Sequence, residues 1–241
     1  MSLRRVILQF RSEWNVIMRN GEQLLLTLVI PMVLLGFFGS VEVLPLGDGD
    51  PLGVLVPGVL AVAVVSAAMV SLGIATGFER SYLVLKRLGA TPLRRGELVV
   101  AKALAVSAVE VVQATLLLGL ALLLGWRGAG TDIVLAVPAV LLGTLAFAGL
   151  GLLLAGRLRA EVNLAAQTGL YIVLVLAGGM IVPPDELPGV LGSTVEWLPT
   201  HALASCLSQA LSNGPGGSHW WIIAAWAATL PVVAARRFRW W

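Results

Sequence analysis

The chain has 241 residues, of which 58% are hydrophobic and only 12% are charged, and its mean hydropathy is +0.93. This composition excludes an ordinary soluble globular domain, in which about 25% of the residues are charged. The formal net charge is +3. Because the basic residues flank apolar runs and do not form one soluble basic face, nucleic-acid binding is not expected either.

Six long apolar runs follow one another and predict an all-α polytopic membrane protein with six transmembrane helices. They cover residues 24–41, 52–77, 98–125, 133–156, 162–182 and 220–235. A helix rises about 1.5 Å per residue, so roughly 20 residues cross a hydrocarbon core about 30 Å thick. Residues 1–241 are therefore predicted to form a single transmembrane domain, without space for a large soluble catalytic unit.

The distribution of lysine and arginine predicts the orientation of these helices. Basic residues precede the first run, separate the second run from the third and the fourth from the fifth, and follow the sixth; 15 of the 16 lie in or beside these segments. Arg127 lies on the opposite side. Because short cytoplasmic loops are enriched in lysine and arginine, both termini are predicted to be cytoplasmic.

Residues 1–22 precede the first run and carry an amphipathic pattern. Apolar residues recur at helical spacing, at Leu3, Val6, Ile7, Phe10, Trp14, Ile17 and Met18, whereas Arg4, Arg11 and Asn15 fall on the opposite face. This pattern predicts a helix that lies in the cytoplasmic membrane interface. A soluble helix packed on a partner protein is the alternative.

The segment between the second and third runs predicts a short helix, a tight turn and then the third span. Phe78, Tyr82 and Leu85 share one helical face, and Gly89 is predicted to end the helix in a left-handed conformation. Thr91 followed by Pro92 is typical of a helix N-cap with proline at the first helical position. Such a rigid cytoplasmic segment can transmit force from a soluble partner; a solvated basic loop that only sets topology is the alternative.

Polar residues inside the apolar runs form two candidate groups. Ser107, Glu110 and Gln113 share nearly one face of the third run, and Glu110 lies near its middle, where an ionisable side chain is costly. They are interpreted as lining a substrate path or a subunit interface, with a hydrogen bond between packed helices as the alternative. Asn163 and Gln167, one turn apart at the start of the fifth run, are interpreted as a substrate access site or as helix-packing residues.

Residues 183–219, between the last two runs, form the longest remaining segment, predicted to be extracellular. The apolar stretch within it predicts short re-entrant helices that dip into the outer leaflet without crossing it. Cys206 has no partner for a disulfide, and His201 and His219 stand far apart along the chain. These residues do not form a recognisable ligand cluster, so the sequence predicts neither a metal site nor a catalytic site.

A resemblance to a known family arises between the second and third runs. Glu79-Arg80, followed by Lys86-Arg-Leu-Gly-Ala-Thr-Pro-Leu-Arg-Arg-Gly-Glu-Leu-Val-Val-Ala-Lys102, resembles the corresponding loop of ABC type-2 exporter permeases, the transmembrane subunits of drug and antibiotic efflux pumps. The resemblance extends over the whole chain. It includes the N-terminal amphipathic helix, the six runs, the Gly-Gly-Met-Ile-Val-Pro-Pro turn after the fifth run and Leu198-Pro199-Thr200 before the sixth.

The resemblance implies a role for this loop. In that family it forms a coupling helix that docks on the nucleotide-binding subunit, and in the same family re-entrant helices close the outward mouth of the pathway. The residues that the resemblance assigns to the coupling contact are Glu79, Arg80, Tyr82, Lys86 and Arg87. The chain departs from the family at Ser81-Tyr82, where Gly-Thr is common after the charged pair.

The resemblance also implies partners. Transport by such a permease needs ATP hydrolysis, yet the chain contains no Gly-x-x-x-x-Gly-Lys-Ser/Thr phosphate loop. ABC ATPase subunits on other chains are therefore expected to bind ATP and Mg²⁺, and a second permease subunit, identical or paralogous, is expected beside this one. No cofactor is expected on this chain. The implied function is outward transport of a lipophilic or amphipathic substrate, such as a drug, an antibiotic or a lipid, across the plasma or inner membrane.

Two other functions remain as alternatives. A secondary carrier or channel typically has several ionisable groups near the bilayer midplane or an inverted repeat. Here Glu110 alone meets the first criterion, and no repeat is found. A noncatalytic membrane scaffold would have neither a polar strip within its helices nor a loop that binds an ATPase.

Overall fold

The computed structural model describes residues 2–41, 51–128, 131–180, 190–212, 214 and 217–237, and the regular elements in these ranges are all helices. They are α1 (Leu3–Arg19), α2 (Gly21–Ser40), α3 (Pro51–Val65), α4 (Leu72–Ser81), α5 (Val84–Gly89), α6 (Arg95–Leu123), α7 (Ile133–Ala155), α8 (Ala160–Ala177), α9 (Val190–Val195), α10 (Pro199–Ser212) and α11 (His219–Arg237). A π-helical turn, Ser66–Ser71, joins α3 to α4, so that Pro51–Ser81 runs as one helix.

Five helices in the described ranges are long and apolar enough to cross a membrane, and they match the first five predicted runs. They are Gln23–Ser40, Pro51–Ser81, Arg95–Leu123, Ile133–Ala155 and Ala160–Ala177. α11 coincides with the sixth predicted run and has 19 residues. It is not among the five, because His219, three tryptophans and two terminal arginines make it less apolar.

The helix Pro51–Ser81 and α7 form the centre of the bundle. In the most apolar stretch of Pro51–Ser81, 78% of the residues are buried, against 18% for α2 and 22% for α8. α7 packs against α11, α10 and α4, and α10 also packs against α3. A helix that is apolar all round is typical of a buried position, whereas α2 and α8 lie at the periphery and expose apolar side chains such as Val33 and Leu176.

Glycines of α7 allow the central helices to approach closely. A Cβ atom added at Gly149 would lie 2.6 Å from the backbone nitrogen of Pro231 and 2.7 Å from the carbonyl carbon of Leu230 in α11. At Gly151 the added atom would lie 2.6 Å from the carbonyl oxygen of Met69. Small residues permit such backbone contacts between membrane helices, so α7 is held against both α11 and the π-helical turn.

We expect Gly149→Ala to destabilise the folded protein by about 1–3 kcal/mol, the usual cost of overpacking, because the new methyl group meets backbone atoms of α11. Gly169→Ala on α8 is the matched control, since nothing lies within 4 Å of a Cβ atom added there. That control is expected to gain about 0.5–1 kcal/mol from helix propensity. Thermal unfolding of the purified variants in detergent measures the difference, and equal midpoints would contradict the contact between α7 and α11.

A short helix does lie between the second and third spans, but its bounds differ from the prediction. α4 ends at Ser81, and Leu83 adopts a left-handed conformation with a φ of 60° before α5 begins at Val84. The left-handed stop predicted at Gly89 is wrong, because Gly89 stays in helical backbone as the last residue of α5. A left-handed leucine costs roughly 1–2 kcal/mol, so tertiary contacts of α5 must hold this turn.

The start of the third span also differs from the prediction. The expected N-cap at Thr91, with Pro92 as the first helical residue, is wrong, because α6 begins at Arg95. The Thr91 hydroxyl instead donates to the carbonyl oxygen of Leu88 at 2.6 Å and completes the end of α5. The cap of α6 comes from Glu97, whose Oε2 accepts at 2.9 Å from the N–H of the residue that precedes the helix.

The fifth span is shorter than predicted, and two short helices follow it. α8 ends at Ala177, and Gly179 then adopts a φ of 67°, which ends the helix before residue 182. Residues 181–189 lie outside the described ranges. Two short helices, α9 and α10, lie in the segment that follows, and their re-entrant placement stays a prediction. α10 has 14 residues, which is about 21 Å of helix and too short to cross a bilayer.

Candidate functional site

A buried ion cluster lies where α1, α4 and α6 meet. Lys102 on α6 is only 1% exposed, and its Nζ lies 2.8 Å from Glu13 Oε2 on α1 and 2.8 Å from Glu79 Oε2 near the end of α4. Gln9 donates to the second carboxylate oxygen of Glu13 at 2.7 Å. The cluster of Glu13, Glu79 and Lys102, called the Lys102 cluster below, therefore joins two carboxylates to one ammonium group.

The Lys102 cluster connects three segments that are far apart in sequence. Removing one partner of a buried ion pair typically costs about 3–5 kcal/mol, because the remaining charge is left buried without compensation. Glu79 lies only two residues before the end of α4. The cluster therefore joins the end of α4, which lies next to α5, to both α6 and α1.

Neither Glu13 nor Lys102 is singled out by the sequence patterns, and Glu79 is assigned only to a partner contact. The sequence does contain one indication of a buried ion pair. Lys102 lies between apolar stretches of α6, and a lysine in such a place needs a carboxylate partner. The sequence does not indicate which carboxylate, since Glu13, Glu79 and Glu97 all flank spans on the same predicted side.

A buried carboxylate outside the Lys102 cluster anchors the start of α1. Glu97 on α6 is fully buried, and its Oε1 accepts from the backbone N–H of Ser2 at 2.8 Å and lies 3.2 Å from Nη2 of Arg5. Arg5 also donates to the carbonyl oxygen of Pro92. Together with the Lys102 cluster, these contacts fasten α1 along the first turns of α6 of its own chain.

The elbow, defined here as residues 82–91, presents three of the five residues that the resemblance assigns to the ATPase contact. Tyr82 is 71% exposed, and Lys86 and Arg87 are exposed beside it. On the opposite face of α5, Leu85 is fully buried against Leu98 of α6. This apolar contact determines which face of α5 stays exposed.

The other two assigned residues are engaged within the chain. Glu79 belongs to the Lys102 cluster, and Nη1 of Arg80 donates to the carbonyl oxygen of Ala155 at 3.0 Å. Ala155 is the last residue of α7, and a cation is favourable at the C-terminus of a helix. Glu79 and Arg80 therefore link the elbow to α6 and α7.

The polar residues of α6 contact two different helices. Glu110 is 2% exposed and accepts a hydrogen bond from the hydroxyl of Thr144 on α7. Nε2 of Gln113 donates to the carbonyl oxygen of Thr27 on α2 at 2.7 Å, and Ser107 is partly exposed. These are helix-packing hydrogen bonds, although Oε1 of Glu110 is buried without a partner among the described residues.

Asn163 and Gln167 lie fully buried beside the centre of the bundle. Nδ2 of Asn163 donates to the carbonyl oxygen of Gly73, and Nε2 of Gln167 donates to that of Gly151, both at 2.9 Å. A Cβ atom added at Gly73 would lie 2.1 Å from Nε2 of Gln167. The Gln167 amide therefore packs directly over Gly73 of α4, and the two amides join α8 to both α4 and α7.

The two histidines, which the sequence separates, are in contact in the structure. The ring centroids of His201 and His219 lie 4.9 Å apart, so treating these residues as distant is wrong. Within the described ranges, however, no group of three or more His, Cys, Asp or Glu residues is placed to hold a metal ion. Cys206 is a free, buried thiol, and burial raises the pKa of this thiol to about 12, which keeps it neutral.

Comparison with known proteins identifies the family. The profile of the ABC-2 type transporter family matches residues 5–211. The curated proteins compared with this chain give no match. The family match begins within α1 and ends in α10, so it includes the Lys102 cluster, the elbow and the five spans. The chain therefore belongs to the ABC-2 type transporter family and is a transmembrane component of an ABC transporter.

Proposed function

We propose that this chain is the permease subunit of an ATP-driven exporter, which moves a lipophilic or amphipathic substrate outward across the plasma or inner membrane. Family membership supports the transporter role. The observation that carries the coupling mechanism is the exposed elbow, which the Lys102 cluster connects to α1 and α6. A solvated loop that only sets topology would not need this buried connection.

The proposed coupling has a contact surface and a transmission path. Tyr82, Lys86 and Arg87 contact a separate ATPase subunit, which binds ATP and Mg²⁺, and this chain binds no cofactor of its own. Glu79 and Arg80 then carry the displacement of the elbow to α6 and α7 through the hydrogen bonds described above. The permease thus takes part in an ATP-driven cycle without being catalytic itself.

The proposed placement in the membrane includes six spans. α11 is the sixth, and an even number of spans puts both termini on one side, which the basic flanking residues favour as cytoplasmic. α1 lies in the inner interface, where its exposed apolar residues, such as Leu3 and Leu8, contact lipid. α9 and α10 are re-entrant and close the outward mouth.

A second permease subunit, identical or paralogous, completes the proposed pathway. The peripheral helices α2 and α8 expose apolar side chains, among them Val33, Phe37, Val173 and Leu176. Broad exposed apolar surfaces mark either protein interfaces or lipid contact in membrane proteins. Both helices are therefore available to a second subunit.

Five buried or partly buried polar residues remain candidates for the substrate path. They are Ser107, Glu110, Gln113, Asn163 and Gln167. Four of them hydrogen-bond to a neighbouring helix. In the proposal these bonds are exchanged for bonds to the substrate when the helices separate during transport.

Reconstituted transport tests the proposed function. The chain is expected to copurify with an ABC ATPase, and proteoliposomes of the complex are expected to export a labelled lipophilic compound only with ATP and Mg²⁺. A hydrolysis-deficient ATPase partner is the control. Uptake or release driven by an ion gradient without nucleotide would indicate a secondary carrier or channel. A stable complex without any transport would indicate a scaffold.

A further inference from the structure

A groove of about 620 Å³ opens between α1 and α2 on one side and the helix Pro51–Ser81 on the other. Ligand pockets of roughly 300–1,000 Å³ accommodate drug-sized molecules. Its walls are mainly apolar, with contributions from Val16, Ile30, Val70, Ile74 and Phe78. The groove is therefore large enough for a small lipophilic molecule and has the walls that such a molecule requires.

The π-helical turn forms part of this wall. Ser66, Val70 and Ser71 all line the groove and all belong to the turn. A π turn inserts an extra residue into a helix and often occurs at functional sites, because it redirects side chains. Gln23 of α2 donates to the hydroxyl of Ser71 across the groove, so the two walls are held at a defined separation.

The polar end of the groove lies at Glu79, beside the elbow. Glu79 lines both the groove and a smaller cavity behind it, which is also lined by Glu13 and Lys102. Tyr82 and Val84 line the same end of the groove, while Ile30 lies toward the middle of α2. The groove therefore runs from a charged end at the elbow to an uncharged end within the bundle.

The charge at this end is unbalanced. The Lys102 cluster contains two carboxylates and one ammonium group, which leaves one surplus negative charge. No lysine or arginine is found among the described residues that line the groove. Arg80, the basic residue next to Glu79 in sequence, donates to Ala155 instead. A cation in the groove would compensate the surplus charge, whereas a neutral lipid would not and an anion would be repelled.

We propose that the groove binds an amphipathic cation, with its positive head group beside Glu79 and its apolar body along Ile74, Val70 and Ile30. The inference rests on the proposed function, because it names the substrate class of the exporter. The head group lies at the level of the elbow, where a displacement of α5 moves Glu79. The same carboxylate thus binds the substrate and belongs to the path that transmits the displacement.

Binding of radiolabelled tetraphenylphosphonium to the full chain in nanodiscs of zwitterionic lipid tests the proposal. Saturable binding is expected, and tetraphenylborate, an anion of the same size, is not expected to compete. Glu79→Gln removes the surplus charge and leaves Lys102 paired with Glu13, so the fold is retained while affinity falls about tenfold or more. Glu161→Gln, at an exposed carboxylate on α8, is the control and is expected to change affinity by less than about twofold.

A steric variant makes the test independent of the Lys102 cluster. Val16 is 58% exposed on α1 and lines the groove, so Val16→Trp is expected to fill the groove and weaken phosphonium binding by about tenfold or more. Leu8→Trp is the matched control, because Leu8 is 56% exposed on the same helix and is not among the residues that line the groove. The control is expected to bind as the unmodified chain does.

Equal competition by the phosphonium and the borate would overturn the proposal, and so would unchanged affinity in both Glu79→Gln and Val16→Trp. Loss of a dimer in Val16→Trp with unchanged phosphonium binding would also overturn it, because a second copy would then cover the groove. The binding assay contains neither ATP nor an ATPase. Its failure would therefore leave the exporter proposal standing, and binding without ATP-dependent transport would contradict the exporter proposal alone.

Discussion

Lys102→Met is expected to lower the free energy of unfolding of the permease by about 3–5 kcal/mol, enough to deplete the folded protein. The substitution leaves Glu13 and Glu79 buried beside each other without a counter-charge. Methionine is about as long as lysine, so the change in unfolding free energy comes mainly from the lost charge and not from lost side-chain volume. Samples of the purified permease are heated to a series of temperatures and then run on a size-exclusion column with fluorescence detection. The height of the folded peak at each temperature measures the loss of folded protein.

Two controls separate the charge of Lys102 from other effects. The triple variant Glu13→Gln, Glu79→Gln and Lys102→Met replaces the whole cluster by neutral side chains and is expected to recover most of the lost stability, since neutral replacement of a buried ion cluster is often tolerated. Lys86→Met removes an exposed lysine and is expected to have little effect. A wild-type unfolding midpoint for Lys102→Met would rule out the cluster as a structural connection.

Replacing Tyr82, Lys86 and Arg87 together by alanine is expected to reduce ATP-driven transport and permease-dependent ATPase activity by about tenfold or more. Tyrosine and arginine at the centre of an interface each contribute about 2 kcal/mol or more when they are hot spots. Because all three side chains are exposed, the unfolding midpoint of the permease is expected to stay unchanged. ATPase assays and transport assays on the reconstituted complex measure the effect.

The elbow prediction has its own controls. Arg11→Ala removes an exposed arginine of α1 that lies outside the elbow, and it is expected to leave activity unchanged. Leu85→Ala acts on the buried face of α5 and is expected to lower stability by about 2–5 kcal/mol, which distinguishes a packing defect from a lost contact. Normal turnover and normal ATPase copurification in the triple variant would exclude the elbow as the coupling contact.

The spans could be predicted because the cause of each one is local. In a membrane every backbone polar group must be satisfied within its own segment, so an apolar run of sufficient length forms a helix whatever it packs against. α7 illustrates this: the predicted run 133–156 and the helix Ile133–Ala155 differ by one residue. A second local signal, the helical spacing of apolar residues, predicts the amphipathic helix at residues 1–22, and α1 covers Leu3–Arg19.

The bounds of the elbow could not be predicted because they depend on contacts that are not local. Gly89 is the residue type that usually ends a helix in the left-handed conformation, yet Leu83 adopts that conformation instead. Burial of Leu85 against Leu98 and the hydrogen bond of Arg80 to Ala155 hold the two sides of this turn. Intrinsic preference of a single residue is worth about 1 kcal/mol, which such contacts exceed.

Apolar length and charge bias are properties of each segment, so the amino-acid sequence alone is enough to predict a bundle of membrane helices with basic residues at one end. The contacts made at that end depend instead on how the segments pack together. The partners of Lys102 lie 89 and 23 residues away along the chain, so no local pattern contains them. The folded bundle pairs one lysine with two carboxylates because burying an unpaired charge costs several kcal/mol. The surplus negative charge and the groove beside it result from that packing.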